Sequence, residues 1–172
     1  GSPLDDWHDR QEKEFEDYSH EILLTGYALD DALTWTLGAY YFSERLDESS
    51  SAYASVLKRD VTNKAIMGSV AYDFTDRIQS SLEVRHAKDT IEQISRTPAS
   101  YFEAKETFDS TTFRWTLSMD LGDEHMAYMK IATGTFPGGC NANPDLPDAL
   151  IPIAVQEMTQ YEVGFKGRFN DN

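Results

Sequence analysis

The feature that most constrains the fold is a period-two alternation of side chains between residues 113 and 133. Every second position of its first half is apolar: Phe113, Trp115, Leu117, Met119 and Leu121. The positions between them are polar or charged, which predicts a strand with one apolar and one polar face. Gly-Asp-Glu-His at 122–125 is typical of a turn, and the alternation resumes from Met129 to Thr133. The sequence therefore predicts a β-hairpin here.

The same alternation recurs along most of the chain. Apolar residues share one parity within each of the segments 20–28, 33–41, 64–74, 78–84 and 161–169. Because neighbouring segments of this kind pair antiparallel when short turns join them, we predict an all-β fold. The expected architecture is an antiparallel β-meander of about seven strands.

The predicted connections differ between the two ends of the strands. Tight turns are predicted near positions 30, 75 and 122. Long loops, which are polar or contain several prolines, are predicted at 46–62, 88–107 and 137–157. This asymmetry is typical of outer-membrane barrels. A soluble sandwich or small barrel with its apolar face inside has the same period, so the pattern leaves both architectures open.

The composition excludes several classes of function. The formal net charge is -15, so the chain lacks the clustered basic residues that nucleic acids require. The four histidines are scattered, and no nucleophile motif lies beside them, so we predict no enzyme, no cofactor and no metal site. Cys140 is the single cysteine and cannot form an internal disulfide. No apolar run reaches about 18 residues, which excludes a transmembrane helix but not spanning strands.

Residues 1–17 show no clear period. We expect a polar loop or a leader left by cloning, with Gly1-Ser2 as its scar. The group at 5–9 combines three aspartates with His8. A solvated acidic loop is favoured over a metal site there.

Three segments resemble TonB-dependent outer-membrane receptors, in the order in which that family has them. YSHEILLTG at 18–26 is similar to a strand that begins Ser-x-Glu-x-x-Leu. YMKIATGTFPGGCN at 128–141 resembles the strand that enters a long external loop through Gly-x-x-x-Gly-Gly. QYEVGFKGRFNDN at 160–172 resembles a Tyr-Glu-x-Gly-x-Lys strand that runs into a short turn.

The resemblance implies that residues 18–172 form a partial β-barrel domain, a segment of a large transmembrane β-barrel of about twenty-two strands. The parent receptor would import a scarce nutrient, such as a ferric siderophore, across the outer membrane of a Gram-negative bacterium. Its partners would be outer-membrane lipid, a plug domain that this chain lacks, the TonB energy-coupling protein and the small-molecule nutrient. The isolated segment is expected to be inactive in transport and to self-associate through its edge strands. The alternative function is a soluble all-β ligand-binding domain without catalytic activity.

Two sets of residues are the candidate site. The polar parity carries the candidates for the barrel lumen, expected to form cross-strand charge pairs: Glu21, Glu83, Arg85, Arg114, Lys130, Glu162 and Lys166. The predicted long loops carry the candidates for ligand contact: Tyr101, Phe102, Phe136, Gly138 and Gly139.

Overall fold

A computed structural model describes residues 10–52, 54–140 and 152–167, whose strands form one antiparallel sheet. The strands lie side by side in chain order: β1 (Gln11–Ala28), β2 (Leu33–Ser50), β3 (Ser55–Thr75), β4 (Ile78–Arg96), β5 (Tyr101–Asp120), β6 (His125–Phe136) and β7 (Gln156–Gly167). The predicted antiparallel β-meander is confirmed. No helix in this part of the chain is long and apolar enough to cross a membrane.

The strand register separates the side chains into two faces. One row of directly paired residues crosses the whole sheet and is largely apolar: Gly26, Trp35, Val70, Leu82, Trp115, Ile131 and Tyr161. We call the side that carries this row the apolar face. The adjacent row is largely polar: Thr25, Thr36, Ser69, Glu83, Arg114, Ala132 and Gln160. Its side is the polar face, because successive side chains point to opposite sides of a strand.

Burial distinguishes the two faces. The buried side chains of the described residues are few, and by strand alternation all lie on the polar face: Leu46, Ala65, Ala87, Gln93 and Phe102. On the apolar face, by contrast, Ile66 is 64% exposed and Val163 is 84% exposed. Among the described residues, the polar face is therefore the one that carries the buried side chains.

The tight turns occur where they are predicted. Residues 29–32, 76–77 and 121–124 connect strands at one end of the sheet, which we call the turn end. Leu29, Asp30 and Asp31 all have positive φ in the first of these turns. In the second, Thr75 accepts hydrogen bonds from the backbone of Arg77 and Ile78 through its hydroxyl.

Two of the three predicted long loops are wrong. The strands continue to the far end of the sheet, where 51–54 and 97–100 are the actual connections. Serine-rich, charged segments look like loops in sequence, but here their side chains pair across strands. Arg45 donates to Asp60 at 3.0 Å, and Lys58 lies 3.4 Å from Asp47. A strand whose two faces both meet water needs no apolar alternation.

The predicted polar loop at 1–17 is also wrong where the structure describes it. Residues 11–17 belong to β1 and pair with β2, starting with Gln11 opposite Ser50. The acidic group at 5–9 and the end of the last predicted strand, including Phe169, lie outside the described residues. The third long connection is present, because β6 ends at Phe136 and β7 begins at Gln156.

Candidate functional site

The polar face carries two direct cross-strand ion pairs between predicted site residues. Arg114 on β5 donates to Glu83, its paired residue on β4, at 2.6 Å. Lys130 on β6 lies 2.5 Å from Glu162, its paired residue on β7. The second pair is less exposed than the first, so water screens it less.

Tyr128 joins the second of these pairs to a further predicted residue. Its hydroxyl donates to Glu162 at 2.6 Å, and the ammonium of Lys166 lies 5.1 Å from the centre of its ring. Lys130, Glu162, Lys166 and Tyr128 therefore form one cluster on β6 and β7. The sequence parity places all four on one face, yet Tyr128 was not among the predicted residues.

Arg85 belongs to a second polar cluster, nearer the far end. It donates to Asn63 at 2.9 Å, and Asn63 donates to Asp89 at 2.5 Å. The guanidinium also lies 5.9 Å from the centre of the Tyr40 ring. Asn63 and Asp89 were missed because they lie in segments that were predicted to be, or to border, loops. Glu21 is exposed on edge strand β1, where it is paired with Tyr40.

Between this cluster and the far end of the sheet, the polar face becomes partly apolar. Arg59 donates to Glu44 at 2.7 Å, and its neighbours in the register are the buried Leu46 and Gln93. Arg59 Nε is buried and has no partner among the described residues. A guanidinium held this way is a hydrogen-bond donor on the polar face.

The connection between β6 and β7 folds onto this partly apolar region. Gly139 pairs with Ile153 through two backbone hydrogen bonds, and Gly138 lies against the ring of Phe108 on β5. Cys140 donates to the Ile91 carbonyl at 3.9 Å. The pKa of the Cys140 thiol is raised, first by burial and second by the Glu106 carboxylate.

The predicted ligand-contact aromatics do not form one group. Tyr101 and Phe102 begin β5 instead of lying in a loop, so their side chains point to opposite faces. Phe102 is 5% exposed on the polar face, whereas Tyr101 is 62% exposed on the other side. The Tyr101 hydroxyl donates to Glu103, which raises the pKa of the phenol. The two residues therefore cannot contact the same ligand. Phe136 ends β6 and is 72% exposed.

The polar face offers groups that suit recognition by hydrogen bonds and charge. Three ion pairs join neighbouring strands on this face: Arg59 with Glu44, Arg114 with Glu83, and Lys130 with Glu162. Among the described residues, no group of three His, Cys, Asp or Glu side chains could hold a metal ion. The arrangement offers hydrogen-bond donors and acceptors along the polar face, with an apolar band on the opposite side.

A single antiparallel sheet with one polar, ion-paired face and one exposed apolar face has the architecture of a β-barrel wall, and the chain has the fold of a segment of a TonB-dependent receptor barrel. Among solved structures it is similar to FyuA, the ferric yersiniabactin uptake receptor of Yersinia pestis. The TM-score is 0.72 at 17% sequence identity, over 95% of this chain and 28% of that chain. No family model and no curated protein matches the sequence. The match confirms the resemblance at the level of the fold, and the chain spans little more than a quarter of FyuA.

Proposed function

We propose that this chain is part of the barrel wall of an outer-membrane receptor that imports a scarce nutrient, such as a ferric siderophore. The observation that carries the proposal is the exposed apolar face. Leu24, Leu37 and Ile66 on this face are each more than half exposed, and nothing in the described part of the chain packs over them. An apolar surface of this extent needs a covering, and a lipid bilayer supplies one.

The height of the apolar band supports lipid as the covering. On β3 the band runs from Ile66 to Phe74, which is about 26 Å along a strand. A strand tilt of roughly 40° reduces this to a height of about 20 Å, near the ~25 Å of outer-membrane barrels. A soluble domain would instead bury this face under a second layer, as the alternative function requires.

The polar face would then line the lumen, and the plug domain of the complete receptor would lie against it. This wall suits contact with such a domain, because it presents ion-paired and hydrogen-bonded side chains instead of an apolar surface. The aromatic and guanidinium groups nearer the far end, around Arg59 and Phe108, are the part of this wall that an incoming nutrient would meet first. The role is one of binding and passage, without catalysis.

Membrane placement is tested in the complete protein that contains this chain. Bromine-labelled lipids should quench Trp35 and Trp115, which both lie on the apolar face, and replacing each by phenylalanine should remove its own part of the quenched emission. Absence of quenching at both positions would contradict the lipid-facing assignment. Loss of growth on a ferric chelate after gene deletion, restored by the intact gene, tests the transport role separately.

The isolated chain is a different case from the complete protein. In the described residues β1 and β7 are unpaired edges of the sheet, and unpaired strand edges associate with one another. We therefore expect the isolated chain to self-associate and to lack transport activity. Analytical ultracentrifugation of the folded isolated chain measures this directly, and a strictly monomeric species would contradict it.

A further inference from the structure

Two lysines lie side by side on the apolar face just beyond the apolar band. Lys64 on β3 and Lys88 on β4 are directly paired, and both are exposed. The preceding row toward the turn end pairs Ile66 with His86, so the lysines lie about 7 Å along the strand past the last large apolar side chain of β3. Directly opposed like charges destabilise a sheet unless something neutralises them.

The chain does not supply that neutralisation. In the described residues, no ion pair joins either lysine to a carboxylate. Lys64 lies 5.9 Å from the centre of the Tyr41 ring. Asp109 is paired with Lys88 on β5 and is the acid nearest to it in the register, yet it forms no ion pair with it.

Three other cations on the same face do form ion pairs with carboxylates. Nearer the far end, Arg45 is held by Asp60, Lys58 lies against Asp47 and Lys105 contacts Glu92. Arg96, at the far end of this face, also forms no ion pair among the described residues, so Lys64 and Lys88 differ from it in being directly paired with each other at the edge of the apolar band. On the same face, the next row toward the far end carries hydroxyl groups that can donate and accept hydrogen bonds: Tyr18, Ser43, Thr62, Thr90 and Thr107.

We infer that Lys64 and Lys88 bind the phosphate of a phosphorylated lipid headgroup in the leaflet nearest the far end of the sheet. The inference rests on the proposed function, since it needs the apolar band to lie in the bilayer. Lysines at the rim of such a band place their stems on the lipid tails and their ammonium groups at the headgroups. A phosphate between two ammonium groups turns a repulsive pair into two charge-assisted hydrogen bonds. The row of hydroxyls offers further contacts to the same headgroup.

The test uses the complete protein in detergent, titrated with lipid A that carries both of its phosphates, with bound lipid counted by native mass spectrometry. Replacing one lysine by glutamine, as in Lys64→Gln or Lys88→Gln, should weaken binding roughly fivefold, and the double variant should lose about 25-fold. Lys58→Gln is the matched control, because Lys58 lies on the same face of β3 but is already paired with Asp47. It should leave binding unchanged, and arginine at both 64 and 88 should preserve it.

Dephosphorylated lipid A provides the second arm. The parent protein should bind it as weakly as the double variant binds the phosphorylated lipid, and the double variant should not distinguish the two lipids. Unchanged affinity of the double variant for phosphorylated lipid A, or continued discrimination by it, would overturn the inference while leaving the proposed function intact. Recovery of the complete protein as a soluble species that binds no detergent would overturn both.

Discussion

Trp35 on β2 covers Gly26, its directly paired residue on β1, so closely that a Cβ at position 26 would overlap the indole ring. The glycine is therefore needed for the space it leaves and not for its backbone freedom. The ring occupies the apolar face at the level of the row that crosses all seven strands.

Gly26→Ala should displace the Trp35 ring and destabilise the complete protein. We expect a loss of about 1 kcal/mol, at the low end of the range for overpacking, because the overlap involves the outer part of a side chain that can rotate. Guanidinium unfolding in lipid vesicles measures the loss, and Trp35 emission reports the displacement. The control is Gly68→Ala, where the new Cβ would lie 3.5 Å from the Leu37 side chain, an ordinary contact. Equal stability of both variants would contradict the packing argument.

If the chain is part of a barrel wall as proposed, Leu37→Arg should impair assembly of the complete protein, whereas Thr36→Arg should be tolerated. Leu37 is 57% exposed on the apolar face, and an arginine on the lipid side near the midplane costs roughly 2–4 kcal/mol. Thr36 lies on the polar face, where its hydroxyl is 3.1 Å from that of Thr25. The heat-stable, correctly assembled fraction in outer membranes is the measurement. Equal tolerance of both substitutions would show that the two faces have been assigned the wrong way round.

The ion pair of Lys130 and Glu162 should contribute more stability than that of Arg114 and Glu83. Exposed pairs contribute about 0.2–1 kcal/mol, and we expect Arg114 and Glu83 to fall within that range. The coupling of Lys130 with Glu162 should be the larger of the two, because this pair is less exposed and water screens it less. Double-mutant cycles with alanine at each position give both coupling energies. A larger coupling for Arg114 with Glu83 would reverse the ranking.

Cys140 should react slowly with iodoacetamide at neutral pH. Burial and the Glu106 carboxylate raise the pKa of the thiol, and only the thiolate reacts. The midpoint of the pH–rate profile should therefore lie above the value of about 8.5 for an unperturbed cysteine. Glu106→Gln should move that midpoint to lower pH by removing one of the two causes. Cys140→Ser supplies the background rate, and a midpoint below that of free cysteine would contradict the assignment.

Gly138→Ala should detach the β6–β7 connection from the sheet. A Cβ at position 138 would overlap both the Ile153 carbonyl and the Phe108 ring. Backbone cannot move aside as a side chain can, so we expect faster proteolysis within 137–155 with little change in global stability. Gly139→Ala is the matched control, since its Cβ would lie 3.7 Å from the end of the Ile153 side chain.

The sequence was sufficient to predict the strands that cross the apolar band, because Trp35, Leu82 and Trp115 fall on a strict period of two. Beyond the apolar band, the sequence pattern did not predict that the strands continue. Arg45 and Asp60 look like loop residues in isolation, and only their pairing across β2 and β3 reveals a strand. Period and polarity are local properties, whereas that pairing depends on two segments in register.

The candidate site could be predicted from the sequence to a similar extent. Alternation alone places Lys130 and Glu162 on one face, and the register makes them direct partners. Tyr101 and Phe102 show the limit of such reasoning. Once a segment is taken for a loop, no parity applies to it, so the opposite faces of these two adjacent aromatics could not be predicted.

The strands continue past Lys64 and extend the sheet well beyond the apolar band. From His20 to Gln11, β1 extends about 30 Å along its own direction, and β2 follows it residue by residue. If the band lies in the bilayer, an antibody or a bacteriophage approaching from outside would first meet hydrogen-bonded backbone and paired charges instead of mobile loops. An epitope inserted at the 51–54 turn would be displayed well above the membrane, while the same insertion beside Arg45 would break the wall that supports it.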